Sequence, residues 1–385
     1  MHPDVLMPAA MLYDKHALSA LSRICDISEL TISNNAAQAS SSSTISTTDR
    51  IRLPLRYGGM GLTSVAAISP AAYTASLQYA ARDISSLPTY PTSFIQAVTA
   101  FLTSPIQMLA ADHVDVCRVA KVIDIEHLCR DGKPQLQGVL CNAMYTNKVK
   151  DMMKSANKPA KAAMVAAGGK HASRWLTRPL LDMEVMMNRV QFSQAVRHRL
   201  YIQPADVLPT HICKHVSGGV DITTEPHHAY ICEKEKRISH TTRHEMVLDV
   251  LVKHCRQLGI YCTRDVPSVK NQMADLFVDT GSHQILVDVT VTEPSGKECI
   301  QYGSSSSVGK AVERAAQHKV SKYTHYIQYI NRTYPHMNRC VFVPFALETH
   351  GVLSKSALEL VSVISGCSEY ASTWMVNEQL LNAIV

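Results

Sequence analysis

Residues 273–292 read Met-Ala-Asp-Leu-Phe-Val-Asp-Thr-Gly-Ser-His-Gln-Ile-Leu-Val-Asp-Val-Thr-Val-Thr, two apolar strands around a Gly-containing turn. If Asp279-Thr280-Gly281-Ser282-His283-Gln284 forms the turn with Asp279 opposite Gln284, counting back along both strands sets Asp275 across from Asp288. Directly opposed residues share a face, with Cβ atoms roughly 4.5–5.5 Å apart. Two carboxylates that close repel each other in a half-buried sheet, and the remedies are a bound cation or a proton held by one of them. A hard divalent ion, Mg²⁺ or Mn²⁺, takes one or two carboxylates plus waters and a phosphate oxygen, and could generate hydroxide beside a phosphodiester. The same pair also suits the solvated outer face of an ordinary antiparallel hairpin. Leu276, Val278, Ile285, Val287, Val289 and Val291 weigh toward the first arrangement, because they make both strands apolar enough to be central.

A chain of 385 residues, 46% of them hydrophobic, suffices for two or three domains with cores of their own and argues against global disorder. Its net charge of +6 permits nucleic acid as a partner without demanding it. Eleven cysteines are an odd number without framework spacing, and no charged-then-apolar leader follows Met1. Both point to a reducing intracellular compartment with free thiols. No run approaches about eighteen uninterrupted apolar residues, so no spanning helix and a soluble protein are expected.

Ahead of the hairpin the pattern is mainly helical. Met7, Met11, Leu18, Leu21 and Ile24 recur at helical spacing within residues 1–38, and Ser40-Ser41-Ser42-Ser43-Thr44 then breaks the pattern as a loop. Gly58, Gly59 and Gly61 precede an Ala-rich helix expected over 65–81, and they suit a close backbone approach or turns with positive φ. A phosphate-cradling loop would want a Lys-Ser/Thr that does not follow. Helical patterning returns over 93–208 with Lys148, Lys150, Lys154, Lys158, Lys161 and Lys170, which either track a phosphate backbone or form a solvated helix face.

His211, Cys213, His215, His227, His228 and Cys232 fall in a short stretch with few apolar residues to make a core. Tetrahedral zinc on Cys213, His215, His227 and Cys232 would supply the missing folding energy, with His211 and His228 as competing donors. A His-rich loop without metal is the alternative.

Thr242-Arg243-His244-Glu245 reads as a helix start, Thr242 as N-cap and Glu245 closing a capping box, followed by an apolar face of Val247, Val250, Leu251 and Leu258 and a stop at Gly259. A strand over 260–264, the hairpin, a Gly/Ser loop at 303–307 opening a helix to about 331, and a strand over 340–345 complete the order helix, three strands, helix, strand.

That order resembles the restriction-like endonuclease domain of site-specific non-LTR retrotransposons, a PD-(D/E)XK nuclease. Members carry an Arg-His before the first helix, a Pro-Asp strand, an Asp-Val-Thr strand and a lysine-bearing helix. Here these are Arg243-His244, Ala274-Asp275, Asp288-Val289-Thr290 and the helix through Lys319-Val320-Ser321-Lys322-Tyr323. Pro344-Phe345-Ala346-Leu347-Glu348-Thr349-His350-Gly351 is similar to the family's closing strand, so the likeness spans about residues 211–351. Upstream, Arg52-Leu53-Pro54-Leu55-Arg56-Tyr57-Gly58-Gly59-Met60-Gly61-Leu62 resembles the stretch after a reverse transcriptase palm. Ser173-Arg174-Trp175-Leu176 and the run from Phe192 to Leu200 resemble the helical linker. No Tyr-x-Asp-Asp polymerase signature occurs, so no reverse transcriptase active site is expected. In the family a Cys/His knuckle precedes the nuclease; here His215 stands at its second cysteine.

The resemblance implies a mixed α+β fold in four parts. These are a helical region (1–90), a basic helical linker (91–208), a zinc knuckle (209–235) and a PD-(D/E)XK core (236–385). It implies that Asp275, Asp288 and the carbonyl of Val289 hold Mg²⁺ or Mn²⁺. The parent motif's lysine, two residues after the second acid, is Thr290 here, and the resemblance moves that role to the following helix. Helical arithmetic sets Lys319 among Val308, Val312, Ala315, Ala316, Tyr323 and Ile330, facing a sheet, with Lys322 at the stripe's edge; either could instead snorkel to solvent. His244, at the scissile phosphate or packed at the helix start, and Glu245, as cap or metal-site carboxylate, complete the catalytic candidates. The implied activity is nicking of double-stranded DNA in the nucleus to prime reverse transcription, with the element's RNA as a further partner. The alternatives are a nucleic-acid-binding fragment that does not cut and a structural piece of the polyprotein.

Overall fold

The computed structural model describes residues 3–27, 46–85, 93, 136–177, 187–202, 212–213, 219–221, 225–226, 228, 232–266, 274–333 and 340–366. They form two compact units, one of Met1–Arg23, Ile27–Pro54 and Gly61–Ala156, the other of Ile24–Asp26, Leu55–Met60 and Asn157–Val385. Helices, a two-stranded antiparallel sheet and a four-stranded mixed sheet make an α+β protein. No described helix is long and apolar enough to cross a membrane.

The first unit is helical, with most of α1 (Pro3–Cys25), then α2 (Thr47–Arg52), α3 (Val65–Ser85) and α4 (Leu136–Ser155). Ala71 and Ala75 of α3 pack on Leu136 and Leu140 of α4. The expected apolar face of α1 is only partly buried: Leu21 is inside, while Met11 and Ile24 are 61% and 54% exposed. The reason is Asp14, which is buried and accepts the Val65 amide at 2.8 Å, the Ala66 amide at 3.4 Å and the Ser64 hydroxyl. A carboxylate satisfying orphan amides at the positive end of α3 fixes the rotation of α1 more firmly than its methionines do. Residues 28–45, including the expected Ser-rich loop, lie outside the described residues.

In the second unit a one-turn 3₁₀ helix (Leu55–Tyr57) precedes α5 (Lys158–Ala167), α6 (Arg174–Thr177) and α7 (Arg189–Leu200). Arg199 of α7 is 3% exposed and donates to the carbonyls of Gly59 at 2.9 Å, Ala172 at 2.8 Å and Leu55 at 3.1 Å. Gly58 lies at φ +78°, and a Cβ there would come within 2.5 Å of the Met164 carbonyl oxygen. This glycine therefore serves close backbone approach within the protein.

Beyond β1 (Ile212–Cys213) and β2 (Val220–Asp221) come α8 (Glu233–Gln257), β3 (Tyr261–Val266), β4 (Ala274–Asp279), β5 (Gln284–Thr292), α9 (Lys297–Gln301), α10 (Lys310–Thr333), β6 (Cys340–Glu348) and α11 (Lys355–Gly366). The sheet runs β3-β4-β5-β6, with two antiparallel pairings and a parallel one between β5 and β6. Leu248 and Leu251 of α8 and Leu360 and Ile364 of α11 pack on Leu276, Ile285, Val287 and Phe345. On the opposite face Tyr323 and Tyr326 of α10 meet Leu286 and Cys340. β5 is thus central, buried on both faces, and its even-numbered residues point toward α10.

Several expected boundaries move, among them α3, which runs to Ser85, and β3, which spans Tyr261–Val266. α8 starts at Glu233, not at Thr242, so Thr242 and Glu245 lie inside the helix and form no capping box. The polar run Glu233-Lys234-Glu235-Lys236-Arg237 has no apolar period, yet its residues are good helix formers. Its far end follows expectation. Gly259 at φ +69° donates to Arg256, and Ile260 to Cys255, an αL C-cap of Schellman type. β6 runs on to Glu348, three residues past the expected end.

Candidate functional site

The hairpin pairs Asp279 with Gln284 and Leu276 with Val287. Its turn is fixed by Gly281 at φ +78° and by the Asp279 carboxylate accepting the Gly281 amide at 2.8 Å. The ladder ends at Leu276, and Asp275 and Asp288 are the next residues along the two strands. From there β4 stays paired with β3 through Ala274, and β5 with β6 from Pro344, opposite Asp288, on to Glu348. Asp275 turns its Oδ2 onto the Val289 amide at 2.6 Å. The two acids therefore sit at a fork where neighbouring strands part.

Asp288 is 2% exposed at the middle of β5. The Lys319 ammonium of α10 forms an ion pair with its Oδ2, and Tyr323, one turn further along, donates its hydroxyl to Oδ1 at 2.6 Å. The Lys319 side chain is 21% exposed, so it reaches the sheet along the apolar side of α10 rather than running to solvent. Lys322 does not reach Asp288; its Nζ lies 3.3 Å from the Tyr323 oxygen and 4.8 Å above that ring. Burial pushes the Tyr323 phenol well above its ordinary range, and the hydrogen bond to Asp288 and the charges of Asp288 and Asp275 push the same way.

His244 joins the site from α8. Its Nε2 lies 2.9 Å from Asp275 Oδ2 and its Nδ1 3.1 Å from Glu245 Oε1. The Asp275 hydrogen bond holds this imidazole above its usual pKa against the opposing effect of burial. Glu245 also pairs with Arg264 of β3 at 3.4 Å, and Arg264 with Asp249 at 2.9 Å. Glu245 thus reaches Asp275 only through His244.

No protein-family model matches the chain, and no curated protein matches it in sequence.

The donor chemistry at the fork suits a hard divalent cation. Two carboxylates and the carbonyl of Val289 one residue on are oxygen donors of the kind Mg²⁺ and Mn²⁺ take. Lys319 places a positive charge directly against Asp288 at this depth.

A second group of donors lies at Cys213, His228 and Cys232, each buried, with their ligand atoms all within 4.8 Å of one another. The two sulfurs are 3.5 Å apart and are not joined by a disulfide. His228 Nε2 is buried with no hydrogen-bond partner among the described residues. Two thiols and an orphaned imidazole nitrogen fit zinc. His215 and His227 lie outside the described residues, and the histidine brought to the two sulfurs is His228.

Two participants carried no role in the sequence. Tyr323 sits four residues after Lys319 on one stripe, so its hydroxyl could have been placed beside Asp288 by the arithmetic that placed the lysine. The Val289 amide bond to Asp275 depends on where the strands part, which no residue pattern marks. Of the linker lysines, Lys148 pairs with Asp49 at 2.6 Å and Lys154 with Asp151 at 2.8 Å, so local acids already answer those two charges.

Proposed function

We propose that the sheet with α8, α10 and α11 is a metal-dependent DNA endonuclease of the PD-(D/E)XK type, part of a non-LTR retrotransposon polyprotein. The observation that carries the reading is the Lys319 ammonium against Asp288 at the point where β4 and β5 diverge. A buried acid, a second acid at the next strand and an inward amine are what phosphodiester hydrolysis needs in a dry pocket. Asp275, Asp288 and the Val289 carbonyl would hold Mg²⁺ or Mn²⁺, and the ion would supply Lewis acidity at the scissile phosphate and a more acidic water. Lys319 would neutralise charge building on the phosphate oxygens. His244, hydrogen-bonded to Asp275, would orient the phosphate from the α8 side. Zinc on Cys213, His228 and Cys232 would order the segment ahead of the nuclease. The product would be a nick in double-stranded DNA, made in the nucleus and used by the intact element, with its RNA, to prime reverse transcription.

The test is nicking of supercoiled plasmid by the full chain. Cleavage is expected with Mg²⁺ or Mn²⁺, lost on chelation and lost in Asp288→Asn.

One observation favours a second reading, a nucleic-acid-binding fragment that does not cut: both Asp288 oxygens are already engaged, by Lys319 and Tyr323. Salt-dependent DNA binding with no nicking in either metal would decide for it.

A further inference from the structure

A third set of donors lies away from both groups. His198 of α7, Glu293 just past β5 and His350 just past β6 each bring a ligand atom to within 4.8 Å of the other two. They are 7%, 7% and 5% exposed. His198 Nε2 stands 3.3 Å from Glu293 Oε2, and the two imidazole rings lie 4.2 Å apart, tilted by 38°. Two donors on one tetrahedral ion, each bonded at about 2.0–2.1 Å, are themselves about 3.3–3.4 Å apart. The observed spacing is long for a charge-assisted hydrogen bond and right for two ligands of one metal.

The surroundings are those of a braced ligand set. Thr349 donates to Glu293 Oε2 at 2.6 Å, and Ser295 donates to Oε1 through its hydroxyl at 2.7 Å and its amide at 3.2 Å. Outer hydrogen bonds of this kind orient a ligating carboxylate and hold it ionised. The neighbouring acid, Glu348, accepts the amides of Ala311 and Val312 at the start of α10. A donor set of two imidazoles and one carboxylate selects a borderline ion over Mg²⁺ or Ca²⁺.

We propose that His198, Glu293 and His350 form a zinc-class metal site that pins α7 to the ends of the parallel strands β5 and β6. Its role is structural, since its donors are closed to solvent. The site is independent of the nuclease reading and of the thiol-containing group.

Cobalt(II) replacing zinc in the full chain tests it, because a thiolate ligand adds a charge-transfer band that nitrogen and oxygen ligands do not. Protein stripped by chelation is titrated with Co²⁺ in excess Mg²⁺, which competes for all-oxygen sites such as the Asp275–Asp288 fork would be. Wild type is expected to take up one more equivalent than His350→Gln, and Cys213→Ser/Cys232→Ser to retain one equivalent with visible absorption and no thiolate band. Equal uptake by wild type and a folded His350→Gln overturns the site. Where His350→Gln does not fold, the double cysteine variant decides, and absence of bound Co²⁺ in it overturns the site equally.

Discussion

Tyr323 donates its phenolic hydrogen to Asp288 Oδ1 at 2.6 Å while Lys319 holds the other oxygen, so one helix engages both sides of a single buried carboxylate. The ring is fixed for this by stacking on Phe342, with centroids 4.5 Å apart and planes 23° from parallel. Tyr323→Phe keeps the stack and frees one oxygen. The variant is expected to lose about 1.5–3 kcal/mol of stability, the range for a hydrogen bond to a charged group. It should also nick plasmid at lower Mg²⁺ than wild type. A Mg²⁺ titration of the two proteins measures this, and an unchanged or raised requirement would show that the phenol does not compete with the ion.

Removing Lys319 takes the cationic partner from the buried Asp288 and leaves it only the Tyr323 hydroxyl of this helix. Lys319→Met is expected to cost about 3–5 kcal/mol in denaturant unfolding, as for other broken buried pairs, and to abolish nicking. The double variant Lys319→Met/Asp288→Asn should recover much of the stability and none of the cleavage. Equal destabilisation by the single and double changes would show that the pair is not coupled.

Glycines with similar dihedral angles should differ in cost. Gly58 and Gly281 both lie at φ +78°, but a Cβ at Gly58 meets the Met164 oxygen at 2.5 Å and one at Gly281 meets nothing within 4 Å. Gly281→Ala should lose about 1–2 kcal/mol, the left-handed penalty alone. Gly58→Ala adds a backbone clash and should lose clearly more, as read from urea midpoints.

Burial pushes the Cys25 thiol up to about 11, partly offset by Arg197. The folded chain then holds this proton where the unfolded chain, at the ordinary value of 9.0, releases it. Its contribution to stability is complete below pH 9 and is lost as pH rises through about 11. Thermal unfolding across that window should fall more steeply for wild type than for Cys25→Ala. At pH 8 iodoacetamide should spare Cys25, which is fully buried, and modify the partly exposed Cys262.

The hairpin was legible because a strand's period of two and a Gly281 turn leave one register that buries Leu276, Val278, Ile285 and Val287 together. Lys319 was legible for a similar reason, since a cation in an apolar stripe has to meet an acid. The start of α8 was not, because nine residues of helix without an apolar period look like linker. Asp14 was missed because its partner is a helix end far along the chain, and a lone acid in an apolar pattern reads as surface. His198, Glu293 and His350 share no spacing at all, and only the parallel pairing of β5 with β6 and the placement of α7 collect them.

That parallel pairing also sets an order of assembly. The β4–β5 hairpin closes through a short turn, whereas β5 can join β6 only after the whole crossover containing α10 has been laid down. Asp275 and Asp288 therefore become neighbours early, before Lys319 arrives. Until α10 docks, Asp288 lacks the ammonium that will face it, while Asp275 already has the His244 imidazole of the earlier α8 within reach.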